Sequence, residues 1–275
     1  MMGTYTDFAG VYDTFMDDTP YEEWAAYLLE LLGEYGVAVP KITEAAAAER
    51  SIVVDLGCGT GTLTQLLAEA GYDMIGIDNS REMLNIALTK REKSGKDILY
   101  LHQDMREFEL YGTAGAIICV CDSMNYLLEE DEIEQTLRLV NNYLYPGGVF
   151  IFDFNTIYKY ETVIGDTTIA ENREDCSFIW ENYFDCDSGI NEYDLTVFVR
   201  ATERGVTEED GESFRRFTET HYQRGYTLDM MRSLVEKAGM EFVAAIDADT
   251  RGDVWEESER IYVIARECGK EHVNE

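Results

Sequence analysis

The chain of 275 residues is long enough for one large α/β domain, or for one domain with a sizeable insertion. Its formal net charge of -33 disfavours a nucleic acid as substrate and an anionic membrane as partner. No apolar run reaches membrane-spanning length and no signal-peptide pattern opens the chain, so we expect a cytoplasmic protein. The six cysteines include no C-x-x-C pair, and we predict free thiols and no metal site.

Two aromatic stripes at helical spacing occupy the first 35 residues. Phe8, Tyr12 and Phe15 form one stripe. After Pro20, Trp24 begins the second, which continues with Tyr27, Leu28 and Leu31. The pattern predicts two amphipathic helices that pack on the body of the domain.

An apolar run followed by three glycines forms the most informative stretch. Ile52 to Leu56 is typical of a central parallel strand that is covered on both faces. The glycines that follow let the backbone turn tightly and approach a ligand. A helix that begins near Thr62 directs its free N–H groups at that ligand, which suits a carboxylate or a phosphate.

The glycine spacing separates two kinds of nucleoside-binding loop. A dinucleotide fingerprint needs G-x-G-x-x-G, whereas this loop has G-x-G-x-G. Asp55 would repel a pyrophosphate but suits an ammonium group. The run Asp-Leu-Gly-Cys-Gly-Thr-Gly resembles the first motif of the class I S-adenosylmethionine-dependent methyltransferases. That resemblance implies a Rossmann-like doubly wound sheet with an antiparallel last strand, and S-adenosylmethionine bound by Asp55, Gly57, Cys58, Gly59 and Gly61.

The N-terminal segment extends the resemblance. Phe8-Ala9-x-x-Tyr12-Asp13 is similar to a segment of small-molecule N-methyltransferases in which a helix folds over the cofactor. By that resemblance residues 1–40 form a helical lid. Tyr12 would lie near the sulfonium, whose positive charge an aromatic face stabilises.

A second strand, Asp73 to Ile77, ends at Asp78. An acid there, about 20 residues after the glycines, is placed to accept hydrogen bonds from ribose hydroxyls in dehydrogenases and methyltransferases alike. Alternatively Asp78 caps the helix from Arg81 to Lys90, a role that Ser80 also suits. We include Asn79 and Met83 in the predicted cofactor site.

The third and fourth strands deliver further candidates to the same edge. After Ile98 to His102, Asp104 and Met105 match positions that meet the adenine in the resembled family, although a surface turn is the alternative. The fourth strand, Gly115 to Val120, leads to Cys121, which we also assign to the cofactor site.

Tyr126 follows in that loop. Amino-sugar N-methyltransferases carry a histidine there as their proposed base, so the resemblance implies that Tyr126 touches the acceptor. A tyrosine can position an acceptor, but its reference pKa near 10 makes it a poor base unless it is strongly perturbed. Asp122 or Ser123 can instead cap the helix from Glu130 to Tyr143.

Residues 155–226 leave the family pattern. Phe178 to Phe184 and Asn191 to Arg200 predict a hairpin, and Phe214 to Tyr222 a third strand. We predict an antiparallel cap that forms the far wall of a pocket, inserted into a core of residues 41–154 and 227–268. Asn155, His221 and Arg224 are substrate-site candidates: His221 suits a general base, and Arg224 a substrate carboxylate or a neighbouring acid.

The predicted reaction is in-line transfer of a methyl group from S-adenosylmethionine to a nitrogen or oxygen of a small molecule, releasing S-adenosylhomocysteine. Tyr126, His221 or water would remove the proton of an amine acceptor, and no metal is required. Three alternatives stay open: an NAD-dependent oxidoreductase, a methyltransferase for protein or RNA, and a non-catalytic cofactor-binding module. The acceptor atom and the oligomeric state are not predicted.

Overall fold

The computed structural model describes residues 8–37, 50–201 and 213–270. Its helices and strands, in chain order, are α1 (Ala9–Phe15), α2 (Tyr21–Glu34), β1 (Ile52–Leu56), α3 (Thr62–Ala70), β2 (Asp73–Asp78), α4 (Arg81–Ser94), β3 (Ile98–His102), β4 (Ala114–Cys119), α5 (Glu130–Tyr143), β5 (Leu144–Asn155), β6 (Thr168–Asn172), β7 (Cys176–Asp185), β8 (Ile190–Arg200), β9 (Phe214–Arg224), α6 (Leu228–Lys237), β10 (Met240–Asp247) and β11 (Arg260–Glu267). A 3-10 turn, Ser123–Tyr126, precedes α5, and a π-helical turn, Lys159–Ile164, follows β5. Residues 1–7 and 38–40 of the predicted lid lie outside the described residues.

Seven strands form the main sheet in the order β10-β11-β5-β4-β1-β2-β3. Strands β1 to β5 pair in parallel, whereas β11 is antiparallel to β5 and β10. The chain leaves β1 first towards β2 and later towards β4, so the strand order reverses beside β1. Open α/β sheets bind ligands at that point, outside the carboxyl ends of the strands. The predicted doubly wound sheet with an antiparallel last strand is confirmed.

The central strands bury both of their faces. Val54, Ile117 and Phe152 point into an apolar cluster closed by α5 and α6. Their neighbours Val53 and Ile118 point into the opposite cluster, which is closed by α2 and α3. This two-sided burial is why these strands are continuous apolar runs. Helix α2 packs on this second face of the main sheet, whereas the apolar side chains of α1 pack against the cap.

The predicted cap is a four-stranded antiparallel sheet, β6-β7-β8-β9, between β5 and α6 in the chain. The predicted hairpin and third strand are β7, β8 and β9. The edge strand β6 was not predicted, because Thr168–Asn172 lacks an alternating apolar pattern.

Local signals set two of the boundaries near the site. The Ser80 side chain accepts a hydrogen bond from the Met83 N–H and caps α4, so Asp78 is not the cap. A capping box between Glu129 and Glu132 starts α5, and neither Asp122 nor Ser123 serves there. Among the described residues no helix is long and apolar enough to cross a bilayer.

Candidate active site

A cavity of about 730 Å³ opens at the carboxyl ends of β1, β2, β3 and β4. Its volume falls within the range of pockets that enclose small ligands. The loops after these strands supply most of its wall, and α1, α2 and the cap supply the rest. The wall includes Tyr12, Tyr21, Asp55, Gly57, Cys58, Gly59, Asp78, Asp104, Met105, Arg106, Cys121, Ser123, Tyr126, Glu129, Glu132, Thr220 and Tyr222. Asn79 and Met83 also lie on it.

The glycine loop has no room for side chains at its start. Gly57 has a φ of +81°, and a Cβ there would lie 2.7 Å from the Ser123 Oγ. Gly61, at a φ of +74°, ends the loop directly before α3, where a Cβ would collide with Tyr100. A Cβ on Gly59 would meet open space. The close packing of Gly57 and Gly61 explains why the loop needs glycine at these positions.

Asp78 ties the glycine loop to the end of β2. Its two carboxylate oxygens accept hydrogen bonds from the N–H groups of Gly59 and Ser80, each at 2.7 Å. Burial raises the pKa of Asp78, and these two hydrogen bonds act against that rise. Each oxygen can accept more than one hydrogen bond, so the carboxylate can also receive hydroxyl donors from the cavity.

Asp55 is 2 % exposed at the end of β1, and its Oδ2 accepts a hydrogen bond from the Thr64 hydroxyl at 2.6 Å. Burial raises the pKa of Asp55 from 3.8 to about 7, and the negative charge of Asp78 adds to the rise. A cationic group in the cavity would favour the ionised carboxylate.

Asp104 and Met105 line the cavity at the end of β3. The Arg106 guanidinium binds both oxygens of Asp104, at 2.9 and 2.6 Å, and this contact lowers the pKa of Asp104. Arg106 also contacts Glu132 at 2.5 Å. No sequence pattern singled out Arg106, which orients the predicted adenine-binding acid.

Cys121 and Asp122 both adopt positive φ, at 63° and 54°. Their N–H groups donate to the two oxygens of the fully buried Asp153, at 3.1 and 2.8 Å. These hydrogen bonds hold an uncommon backbone conformation that turns the chain from β4 into the cavity wall. Burial raises the pKa values of Cys58 and Cys121 well above 9.0, so both thiols are neutral.

Tyr126 lines the cavity and connects it to a buried polar cluster. Its hydroxyl lies 2.8 Å from the Tyr193 hydroxyl and 3.2 Å from the His221 Nδ1. The His221 imidazole is 2 % exposed, stacks on Tyr193 at 4.7 Å, and has its Nε2 3.5 Å from the Glu219 carboxylate. His221 therefore lies one hydrogen bond behind the cavity wall.

The two other substrate-site candidates point elsewhere. Asn155 is buried, donates to the Tyr160 hydroxyl and accepts from Lys159. Arg224 donates to the Leu128 carbonyl at 2.9 Å and lies 3.8 Å from Glu130. Neither residue belongs to the cavity wall. In this conformation Arg224 has the second of its predicted roles, contact with a neighbouring acid.

Helix α1 bridges the cap and the glycine loop. Phe8, at its N-terminus, and Phe15 pack with the cap, and Phe15 meets Phe178 at 4.8 Å. On the other side Asp13 accepts from the Thr60 hydroxyl and pairs with Lys90, each at 2.7 Å. This crossing places Tyr12 on the cavity wall.

Tyr21 is a cavity residue that the sequence reasoning missed. It begins α2, lines the wall near Tyr12, and burial raises its pKa. Its position within the predicted lid of residues 1–40 was the one sequence feature that indicated a place close to the site. Tyr12, Tyr21, Tyr126 and Tyr222 give the cavity four aromatic rings, which suit a cationic group.

The chemistry of the wall fits the cofactor that the sequence predicts. Carboxylates at the ends of three adjacent strands suit an ammonium, ribose hydroxyls and an adenine amino group, and a glycine cradle allows close approach. Within residues 8–37, 50–201 and 213–270, no group of three or more His, Cys, Asp or Glu side chains is placed to hold a metal ion.

Comparison with known proteins points in the same direction. The family model described as "Methyltransferase domain" matches residues 53–148. The Bacillus subtilis (strain 168) protein named "Putative methyltransferase YqeM" is 33 % identical over 265 residues, which are 95 % of this chain and 96 % of that protein.

Two further relatives bear on the cofactor and the acceptor. The crystal structure of an S-adenosylmethionine-dependent methyltransferase from Clostridium acetobutylicum matches with a TM-score of 0.81 and 27 % identity, covering 96 % of this chain and 99 % of that one. A Streptomyces fradiae enzyme, dTDP-3-amino-3,6-dideoxy-alpha-D-glucopyranose N,N-dimethyltransferase, is 24 % identical over 185 residues, which are 64 % of this chain and 68 % of that enzyme.

Proposed function

The chain belongs to the S-adenosylmethionine-dependent methyltransferases, and on that basis we propose that it methylates a small-molecule amine or hydroxyl held against Tyr126. The observation that carries the proposal is that Tyr126 lines the same cavity as the glycine loop, Asp78 and Asp104. The predicted cofactor-binding and acceptor-binding groups therefore line one cavity.

The cofactor residues follow from their places on the wall. Asp55 would pair with the ammonium of the methionine moiety, Asp78 would accept from the ribose hydroxyls, and Asp104 with Met105 would receive the adenine. Tyr12 and Tyr21 would offer aromatic groups to the sulfonium. The cofactor would supply a methyl group on a sulfonium, whose transfer to a nucleophile leaves neutral S-adenosylhomocysteine.

Tyr126 and His221 together handle the proton of an amine acceptor. An acceptor nitrogen that gains a methyl group becomes positively charged and must lose a proton. The Tyr126 oxygen receives that proton while its own hydroxyl proton moves to the His221 Nδ1, 3.2 Å away. His221 becomes an imidazolium beside the Glu219 carboxylate and later releases the proton to solvent. This transfer removes the difficulty that a lone tyrosine is a poor base.

The charge of the wall indicates the class of acceptor. Five acids line the described part of the cavity, against one basic side chain, Arg106. Arg106 is already ion-paired with Asp104 and Glu132. A diphosphate bound in this cavity would meet no unpaired cation among the described residues of the wall. The acceptor is therefore uncharged or cationic, unlike the dTDP-linked sugar in the name of the Streptomyces fradiae enzyme.

The opening of the cavity is partly covered by α1 and the cap, which favours a small acceptor over a macromolecule. Helix α1 crosses from the cap to the glycine loop, and Thr220 and Tyr222 of the cap complete the wall. A protein side chain or a flipped base would need this cover to open. The strongly negative net charge further disfavours RNA.

Production of S-adenosylhomocysteine tests the proposal. Amines and amino sugars are offered as free compounds, and the amino sugars also as their dTDP conjugates. We expect turnover with one or more free compounds and none with the conjugates. A Gly57→Val variant is the control, because its side chain should distort the glycine loop and prevent cofactor binding. Turnover confined to dTDP conjugates would contradict the acceptor class, and product formation by Gly57→Val would contradict the site.

A further inference from the structure

Glu219 on β9 contacts both His221 and Phe8, the residue before α1. Its Oε2 lies 3.5 Å from the His221 Nε2, and its Oε1 accepts the Phe8 N–H at 2.9 Å. The Glu219 side chain is 12 % exposed and the His221 side chain 1 %. One carboxylate thus touches the imidazole behind Tyr126 and the residue that begins α1.

The Glu219 carboxylate is the acidic group beside the Nε2 of His221. An ionised carboxylate only accepts hydrogen bonds, so it favours a hydrogen on Nε2. In the neutral imidazole Nδ1 is then an acceptor, and the Tyr126 hydroxyl donates to it. The Tyr193 hydroxyl, 2.8 Å from that of Tyr126, in turn donates to the Tyr126 oxygen. In this arrangement Tyr126 can pass its proton to His221; in the opposite tautomer it cannot.

The other oxygen of Glu219, Oε1, is bound by the N-terminal end of α1. Phe8 immediately precedes α1, and α1 is held at its far end by the contact of Phe15 with Phe178 and by Asp13 on the glycine loop. When α1 lies over the cavity, the Phe8 N–H fixes the Glu219 carboxylate beside His221. When α1 departs, Glu219 loses that donor and gains water.

We propose that Glu219 is a positioning residue that couples the seating of α1 over the cavity to the tautomer of His221 able to receive the Tyr126 proton. The inference rests on the proposed methyl transfer and adds a condition to it. The proton path is complete only while the lid covers the bound reactants, so deprotonation of the acceptor is confined to the closed site. This is the relation by which an outer carboxylate orients an imidazole at a functional site.

The tautomer of His221 is measured directly by two-bond ¹H–¹⁵N NMR on the full chain at a pH where its imidazole is neutral. The chain has three histidines, and His221→Gln assigns the signal. We expect the Nε2–H form in the wild type. In Glu219→Leu the ratio of Nε2–H to Nδ1–H should fall by about tenfold, because the negative charge 3.5 Å from Nε2 is removed.

The coupling requires two further results. Amide hydrogen exchange across α1 should accelerate by about tenfold in Glu219→Leu. Phe15→Ala, which loosens α1 at its other end, should shift the His221 tautomer in the same direction, because coupling is reciprocal. Glu181→Leu, an exposed glutamate on β7 of the same cap, is the matched control and should change neither quantity. Glu219→Gln, which keeps the shape of the side chain, should give smaller changes of the same sign and serves if the leucine variant does not fold.

An unchanged tautomer in Glu219→Leu and Glu219→Gln would overturn the inference, as would a Phe15→Ala variant with accelerated α1 exchange and a wild-type tautomer. Calorimetric titration of S-adenosylmethionine on the same samples separates this outcome from failure of the proposed function. The NMR result requires no bound cofactor, and loss of the coupling leaves cofactor binding in place.

Discussion

Replacing Asp55 by asparagine should change how the stability of the protein depends on pH. Burial raises the pKa of Asp55 from 3.8 to about 7. A raised pKa means that the folded state holds the proton more tightly than the unfolded state. The contribution of this proton to the free energy of unfolding is fully present below pH 3.8 and is lost as the pH rises to about 7. Between pH 5 and pH 8 this loss amounts to about 2–3 kcal/mol, at 1.36 kcal/mol per pKa unit.

Urea denaturation of the cofactor-free protein at pH 5 and pH 8 measures the effect. An asparagine side chain cannot ionise, so Asp55→Asn should gain about 2–3 kcal/mol relative to the wild type on going from pH 5 to pH 8. Asp73→Asn, at an exposed position at the start of β2, is the control and should show no such gain. Parallel pH profiles for wild type and Asp55→Asn would refute the argument that Asp55 is protonated near neutrality in the folded protein.

The same titration predicts the cofactor affinity. If Asp55 pairs with the ammonium of S-adenosylmethionine, binding requires the ionised carboxylate. For a pKa of about 7 the ionised fraction rises about fivefold between pH 6 and pH 7, a range in which an α-amino group stays mostly protonated, so the affinity should rise by a similar factor. Calorimetric titration of the wild type at the two pH values checks this, and an equal affinity at both would place the ammonium elsewhere.

Two further substitutions probe the cavity. Gly57→Ala places a Cβ 2.7 Å from the Ser123 Oγ at a φ of +81°, so S-adenosylmethionine affinity should fall at least about 100-fold, with a smaller loss in Gly59→Ala, whose Cβ meets open space. Calorimetry compares the two, and a Gly57→Ala variant that binds as tightly as Gly59→Ala would contradict the packing argument. Tyr126→Phe, assayed with an amine acceptor found in the turnover screen, should lower kcat about 100-fold or more with little change in cofactor affinity, because the path to His221 is cut. A wild-type kcat would assign the proton to water.

The main sheet could be predicted because local residue patterns indicate its strands. Two-sided burial makes Val53 and Val54 apolar alike, and close packing requires glycine at positions 57 and 61 of the loop that follows. Asp78 was predicted from its place at the end of a parallel strand, about 20 residues after the glycines. Asp104 was predicted because it matches a position of the resembled family at the end of the next strand.

The acceptor side was harder to predict because it is built by contacts distant in sequence. Glu219 meets Phe8 across 211 residues, and His221 meets Tyr126 across 95. No local pattern on β9 distinguishes Glu219 from the other polar residues of that strand. Asn155 and Arg224 have the residue types of substrate ligands, but the buried groups around Asn155 and the Leu128 carbonyl engage their side chains.

A structure of the protein with bound S-adenosylhomocysteine would show whether the cofactor and the acceptor share the cavity as proposed. We expect the ribose hydroxyls on Asp78, the amino group near Asp55, and the sulfur directed at the space beside Tyr126. A ligand bound in the cavity with its sulfur facing away from Tyr126, or bound outside the cavity, would contradict the proposal.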